Sequence, residues 1–308
     1  MSDYCIRATA ADGQLRCWAA STTNLCEEAR KRHDTYPTAT AALGRVLTAG
    51  VMMGLNLKGE DLLTIRVNGD GPLGSIVVTA NARGTVRGYV QNPHTHLPSK
   101  APGKLDVGGA VGKNGLLHVT KDLGLKEPYT GSSPLVSGEI AEDLTRYFAE
   151  SEQTPSAIAL GVLVETDNSV QAAGGYMVQL MPGATDEVVS LLEENIGSLP
   201  PVSQMIAEGL TPEEVAGRVL KGMELSVLDK SEVEFQCNCS RERLEWVLKG
   251  FGKDDLESLM EQGEAEITCH FCNEKYHFSK AALERIVQEV MEKGKGKRQK
   301  KKKKKKKK

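Results

Sequence analysis

The chain has 308 residues, 40% of them hydrophobic, and 39 Lys and Arg against 41 Asp and Glu give it a formal net charge of −2. That is enough apolar content to bury a core and length enough for two units, while the lack of an apolar stretch after Met1-Ser2-Asp3-Tyr4 and the odd cysteine count argue against a secreted disulfide scaffold. A reduced, cytoplasmic setting is expected. The near-neutral balance is misleading, because Lys300 to Lys308 are nine consecutive lysines without which the chain stands at −11. The folded part is therefore acidic and the tail a separate, disordered basic segment to which no function is assigned.

Residues Tyr4 to Thr9 and Gln14 to Ala19 alternate like strands around Asp12-Gly13 and read as a hairpin. A helix from about Asn24 to Arg32, capped by Thr22 or Thr23, follows. Thr38 to Leu57 is rich in small residues, but Arg45 and several polar side chains make it a buried, tightly packed helix rather than a membrane span. From Leu63, Ile65 and Val67 the period is two, and Ile76 to Thr79 and Val86 to Val90 continue a β-meander. A strand near Leu116 to Thr120, a helix from Gly138 to Glu150 with Ser137 as N-cap, and strands Ala157 to Glu165 and Val170 to Leu180 complete an α+β domain of antiparallel sheets over residues 1–180. Cys5, Cys17 and Cys26 fall in its elements with no ligand spacing and read as packing residues.

Two glycine motifs in this domain imitate nucleotide sites. Gly69, Gly71 and Gly74 spell G-x-G-x-x-G, but Pro72 interrupts the loop and no helix follows to face a pyrophosphate. Gly108 to Asn114 resembles a phosphate loop, yet its glycine spacing is one residue short and Asn114 stands where a Ser or Thr should hold magnesium. His94, His96 and His118 have no partnered nucleophile or carboxylate motif. No catalytic set emerges, and an enzyme is not expected.

Beyond Met181-Pro182-Gly183 lies a helical linker, residues 181–230. It holds short helices at Asp186 to Asn195, Pro200 to Glu208 and Pro212 to Lys221, the last with a capping box of Thr211 and Glu214. Helices this short are marginal alone in water, so they depend on docking against neighbours.

Residues 231–292 read as a small C-terminal metal module. Cys237-Asn238-Cys239 and Cys269-His270-Phe271-Cys272, separated by 29 residues, supply four thiolates at the spacing of one tetrahedral site. Zinc is favoured, with iron or an iron-sulfur centre as the alternative. Isolated core cysteines would not fall into paired turns. A Cys-x-Cys pair closes only a small ring when oxidised, so metal and disulfide are exclusive states of the same residues. Around the cysteines the pattern predicts a helix from Arg241 to Lys249 capped by Ser240, another near Asp255 to Glu261, a strand at Glu264 to Thr268, and a closing helix from Lys280 to Lys293 capped by Ser279 and stopped by Gly294. So thin a core needs a staple, and metal binding there is folding free energy. Oxidised sulfur is a poor metal ligand, which predicts a switch between a reduced, metal-bound, folded module and an oxidised, metal-free, unfolded one. The module carries fourteen acidic and seven basic side chains, the wrong sign for a nucleic-acid-binding zinc ribbon.

Nearly the whole chain, to about Val290, resembles the 33-kDa heat shock proteins, bacterial redox-regulated holdase chaperones. The resemblance rests on the C-x-C and C-x-x-C pairs together with Leu57-Lys58-Gly59-Glu60-Asp61, Gly69-Asp70-Gly71-Pro72, Arg87-Gly88-Tyr89-Val90, Lys121-Asp122-Leu123-Gly124-Leu125 and Ser137-Gly138-Glu139-Ile140-Ala141. It implies that Cys237, Cys239, Cys269 and Cys272 bind one zinc when reduced. It implies disulfides of Cys237 with Cys239 and of Cys269 with Cys272 on oxidation. It further implies ATP-independent binding of unfolding client proteins during oxidative stress and a homodimer in the active state, with neither membrane nor specific nucleic acid as partner. The lysine tail departs from the family pattern.

Overall fold

The computed structural model describes residues 2–101, 103–251, 258–261 and 263–290. Its contacts divide the chain into two units, Met1–Gln236 and Cys237–Lys308.

The first unit contains two sheets. One is five-stranded and antiparallel, in the order β10-β1-β2-β9-β8, from β1 (Tyr4–Ala10), β2 (Leu15–Ser21), β8 (Ser156–Val164), β9 (Val170–Leu180) and β10 (Leu225–Glu232). The other is six-stranded, in the order β11-β5-β4-β3-β6-β7, from β3 (Leu62–Asn68), β4 (Ser75–Asn81), β5 (Thr85–Val90), β6 (Leu116–Asp122), β7 (Tyr129–Pro134) and β11 (Glu234–Phe235). Its pairs are antiparallel apart from β11 with β5. The α+β architecture expected from the sequence is thus observed, with one parallel pairing added.

Between the sheets runs α2 (Pro37–Gly54), buried along nearly its whole length. Its small residues have a direct cause. A Cβ on Gly44 would stand 2.8 Å from Val162 of the first sheet, and one on Gly50 2.9 Å from Val78 of the second. Both sheets approach the helix backbone too closely for a larger side chain. The preceding helix, α1 (Thr23–His33), has Thr22 at its N-cap as expected, but the Thr22 side chain makes no capping bond. The Thr22 hydroxyl pairs with that of Thr48 at 2.7 Å, while the Asp3 carboxylate accepts from the Leu25 N–H at 2.7 Å.

The helix of residues 138–150 is also shorter than its spacing predicts. Observed as α4 (Ala141–Glu150), it begins after Ile140, whose φ of 72° is a strained value for a β-branched residue. Ser137 is not its cap. Asp143, fully buried in the first turn, reaches back instead and accepts from the backbone N–H groups of Val136, Ser137, Gly138 and Ile140 at 2.6, 3.1, 3.3 and 2.9 Å. Those four bonds hold the left-handed turn in place.

The glycine motifs meet beside this turn. Gly71 N–H donates to Val111 O and Leu73 N–H to Ala110 O, and α3 (Val107–Val111) lies under the loop. A Cβ on Gly69 would overlap Val111 O at 2.0 Å, and one on Gly108 would stand 2.6 Å from Ser137 O. Backbone packed on backbone, not phosphate binding, accounts for these glycines.

The outer face of the five-stranded sheet is covered by α5 (Asp186–Ser198), α6 (Val202–Ala207) and α7 (Pro212–Val219). Leu192, Val202, Met205, Val215 and Val219 pack against Ile6, Leu15, Tyr176 and Val178 in one apolar cluster. The Thr211 and Glu214 capping box of α7 is present. Residues 225–235, which the sequence pattern divides between linker and metal module, instead form β10 and β11 within the first unit. The Lys230 ammonium of this return strand lies 3.5 Å over the Tyr4 ring and 3.5 Å from Glu213 of α7, to which Tyr4 itself donates at 2.6 Å.

The second unit contains α8 (Arg241–Leu248), a hairpin of β12 (Glu264–Thr268) with β13 (Lys275–Ser279), and helical residues 258–261 and 280–290. Ser240 caps α8, accepting from the Arg243 N–H. The expected start of the second helix at Asp255, the expected closing-helix end at Lys293 with Gly294, and the lysine tail lie outside the described residues.

Replacing Asp143 with Ala should destabilise the first unit by about 3 kcal/mol, since it orphans several buried N–H groups at once. Urea denaturation of the variant checks this, and Asp143→Asn, which keeps an acceptor oxygen, should lose less.

Candidate metal centre

The four cysteines singled out by spacing converge. Cys237 and Cys239 follow β11, and the Arg243 guanidinium of α8 holds this turn by donating to Asn238 O at 2.9 Å. Cys269 and Cys272 occupy the turn between β12 and β13. Cys269 O accepts from the Cys272 and Asn273 N–H groups at 3.3 and 2.7 Å, and Cys269 N–H donates to Glu274 O at 2.9 Å. Asn273 supplies the left-handed φ of 59° that turns the chain back.

All four Sγ atoms lie within 4.8 Å of one another. Cys237 and Cys269 sulfurs are 3.8 Å apart and those of Cys239 and Cys272 3.3 Å apart. Together they could hold a metal ion, and among the described residues no other grouping of three or more His, Cys, Asp or Glu meets that geometry. Burial raises the Cys269 thiol above its ordinary value, opposed by the Phe271 N–H and reinforced by the nearby Cys237 sulfur. Burial likewise raises Cys272, opposed by the Glu274 N–H. Four sulfurs this close cannot all lose their protons unless a cation takes up the charge.

Sequence reasoning missed one neighbour of this cluster. The Tyr276 hydroxyl stands 3.2 Å from Cys239 Sγ. Its position four residues after the last cysteine, in a short alternating strand, was the available signal. Supporting the site is a small core of Leu248, Ala265, Phe278, Leu283, Ile286 and Val287, with the Arg241 guanidinium 4.5 Å over the Phe278 ring.

The remaining candidates are scattered. His94 faces Asp34 at 3.3 Å, His96 Nδ1 lies 3.0 Å from the Thr38 hydroxyl, and His118 is paired across the sheet with Arg66 and Ser132. Cys5, Cys17 and Cys26 are buried in the first unit as packing residues. Burial pushes Cys17 and Cys26 up to about 12 and Cys5 upward as well.

With this geometry in place, comparison with known proteins is decisive. The family model described as Hsp33 protein matches residues 3–279. The chain belongs to the Hsp33 family. The 33 kDa chaperonin of Desulforamulus reducens is 61% identical over 294 residues, covering 95% of this chain and the whole of that relative. That of Geobacillus sp. strain WCH70 is 52% identical over 289 residues, covering 94% and 98%. The crystal structure of the 33 kDa chaperonin of Thermotoga maritima superposes with a TM-score of 0.90 at 37% identity, covering 95% of this chain and all of that one. Among the described residues no helix is long and apolar enough to cross a membrane. The Hsp33 cysteine pairs and the glycine and Ser137-Gly138-Glu139-Ile140 motifs thus divide into a chemical set in one unit and an architectural set in the other.

Brief alkylation of the reduced, metal-free chain should modify Cys237, Cys239, Cys269 and Cys272 and spare Cys5 and Cys26 until global unfolding, while Cys17, packed beneath α5 to α7, reacts only where that cover is released. Peptide mass spectrometry reads this directly, and early labelling of Cys5 and Cys26 would contradict the assignment.

Proposed function

We propose that this chain is a redox-regulated, ATP-independent holdase of the bacterial cytoplasm, silent when reduced and metal-bound and active when its four clustered cysteines are oxidised. The carrying observation is the four-sulfur cluster itself, placed in a unit whose core is small.

The residues fit zinc. Thiolates about 2.3 Å from a central ion in tetrahedral array lie about 3.8 Å apart, close to the separations of 3.8 and 3.3 Å seen between sulfurs here. Cys237, Cys239, Cys269 and Cys272 would hold one ion, which when bound neutralises thiolate charge and cross-links the two turns. That link stabilises by on the order of 10 kcal/mol, comparable with the whole stability of an ordinary domain. The second unit should therefore unfold without it.

Oxidation pairs Cys237 with Cys239 and Cys269 with Cys272, as the family resemblance implies. Each pair gives two electrons to peroxide: an S–S bond forms as the O–O bond breaks, and the two oxygens take up protons and leave as water. The sulfurs then no longer serve as ligands. Unfolding reaches the client-binding surface through chain continuity. Cys237 follows directly on β11, β10 and the short helices α5 to α7, which cover Ile6, Leu15, Tyr176 and Val178 of the first sheet. Release of those helices exposes an apolar face of the kind that captures unfolding polypeptides. Capture requires neither turnover nor nucleotide, in keeping with the packed glycine loops. The active form is proposed to be a homodimer, as the resemblance implies.

Peroxide-treated protein at elevated temperature should suppress aggregation of a thermally unfolding client, measured by light scattering. Reduced, zinc-loaded protein should not. Equal suppression in both states would instead indicate constitutive binding. Cys269→Ser, which removes one ligand and one disulfide partner, should lose zinc and suppress aggregation without oxidant.

A further inference from the structure

Tyr276 sets a hydroxyl against a cluster sulfur, 3.2 Å from Cys239 Sγ. It stands on β13 opposite Ile267 of β12, and its ring packs against the core of the second unit. Strand pairing and ring packing together fix where the hydroxyl lies. The backbone donors to Cys269 and Cys272 are local, the N–H groups of Phe271 and Glu274 within the same turn. Tyr276 reaches across to the other cysteine pair.

A thiolate carries no proton, so whenever Cys239 is ionised the phenol is the donor of this bond. A hydrogen bond to sulfur has two effects. It orients and stabilises the anion as a ligand, and it withdraws electron density from the lone pair that attacks an oxidant. In that attack the sulfur forms an S–O bond with peroxide and hydroxide leaves. A second thiolate then forms the S–S bond and displaces the remaining oxygen as hydroxide, so two sulfur electrons reduce one peroxide.

We infer that Tyr276 is a positioning residue for Cys239, its hydroxyl holding that sulfur as a ligand and slowing its oxidation. The inference rests on the proposed metal-thiolate switch and sets its threshold. The full-length chain carrying Tyr276→Phe keeps the ring and loses only the hydroxyl. Tyr276→Leu loses both.

Competition against a chromophoric chelator should show zinc affinity about tenfold weaker in Y276F, the order expected on removing an outer partner of a ligand. In the cobalt-loaded chain the sulfur-to-metal charge-transfer band should move to lower energy. Early peroxide modification, trapped by alkylation and read by mass spectrometry, should rise at Cys239 relative to Cys269 and Cys272. Wild-type affinity and an unshifted band in Y276F would overturn the inference, and a weakened Y276L beside that result would assign the residue to packing alone. Should the wild-type chain bind zinc but retain it through peroxide treatment, the switch itself would be overturned, while the affinity and band readouts would still decide the role of Tyr276.

Discussion

The structure turns on the convergence of four sulfur atoms within 4.8 Å of one another. Their charges repel and burial opposes ionisation, so without a cation the sulfurs stay protonated thiols that do not link the two turns, and only two conditions bind them together. Either a cation neutralises the thiolates, or the sulfurs give up electrons and bond to each other. Among the described residues of the second unit the apolar core is small, six buried side chains with seven partly buried ones packed against them. In the proposed switch, chemistry at the sulfurs therefore decides whether that unit is folded. In a larger domain the same substitution of covalent bonds for metal bonds would be absorbed by packing.

The first unit presents the opposite balance. α2 is clamped between two sheets, Asp143 gathers four backbone N–H groups, and the glycine loops pack backbone on backbone. Its outer layer is different in kind, since α5, α6 and α7 are only 13, 6 and 8 residues long and owe their order to docking. A stable scaffold wearing a marginal cover, continuous in sequence with a unit that folds conditionally, is the physical basis of the proposed switch. Stability is distributed unevenly by design of the sequence, not by its size.

How much of this was legible in the residues depends on the range of each interaction. The cysteine cluster was readable because both pairs are local in sequence and their chemistry is specific. The small-residue character of α2 was readable as tight packing. β10 was not, because the sequence Leu225-Ser226-Val227-Leu228-Asp229-Lys230-Ser231-Glu232 belongs to an edge strand that is mostly exposed and has no burial alternation. β7, another edge strand, contains Gly131 and Pro134 and reads as loop. The cap of α4 was misplaced because Asp143 works backwards from inside the helix, a geometry that favours no residue at position 137. Tyr276 was missed because its relation to Cys239 exists only once β13 has folded back beside the first cysteine pair.

Amide hydrogen exchange tests the central claim most directly, followed by mass spectrometry on the full-length chain with zinc present, after chelation, and after peroxide. Protection of β12, β13 and residues 280–290 should be lost on chelation and on oxidation and return with reductant and zinc, while α2 and the strands flanking it remain protected throughout. Unchanged protection of β12 and β13 in the metal-free or oxidised chain would contradict the claim that the sulfur cluster decides whether the second unit is folded.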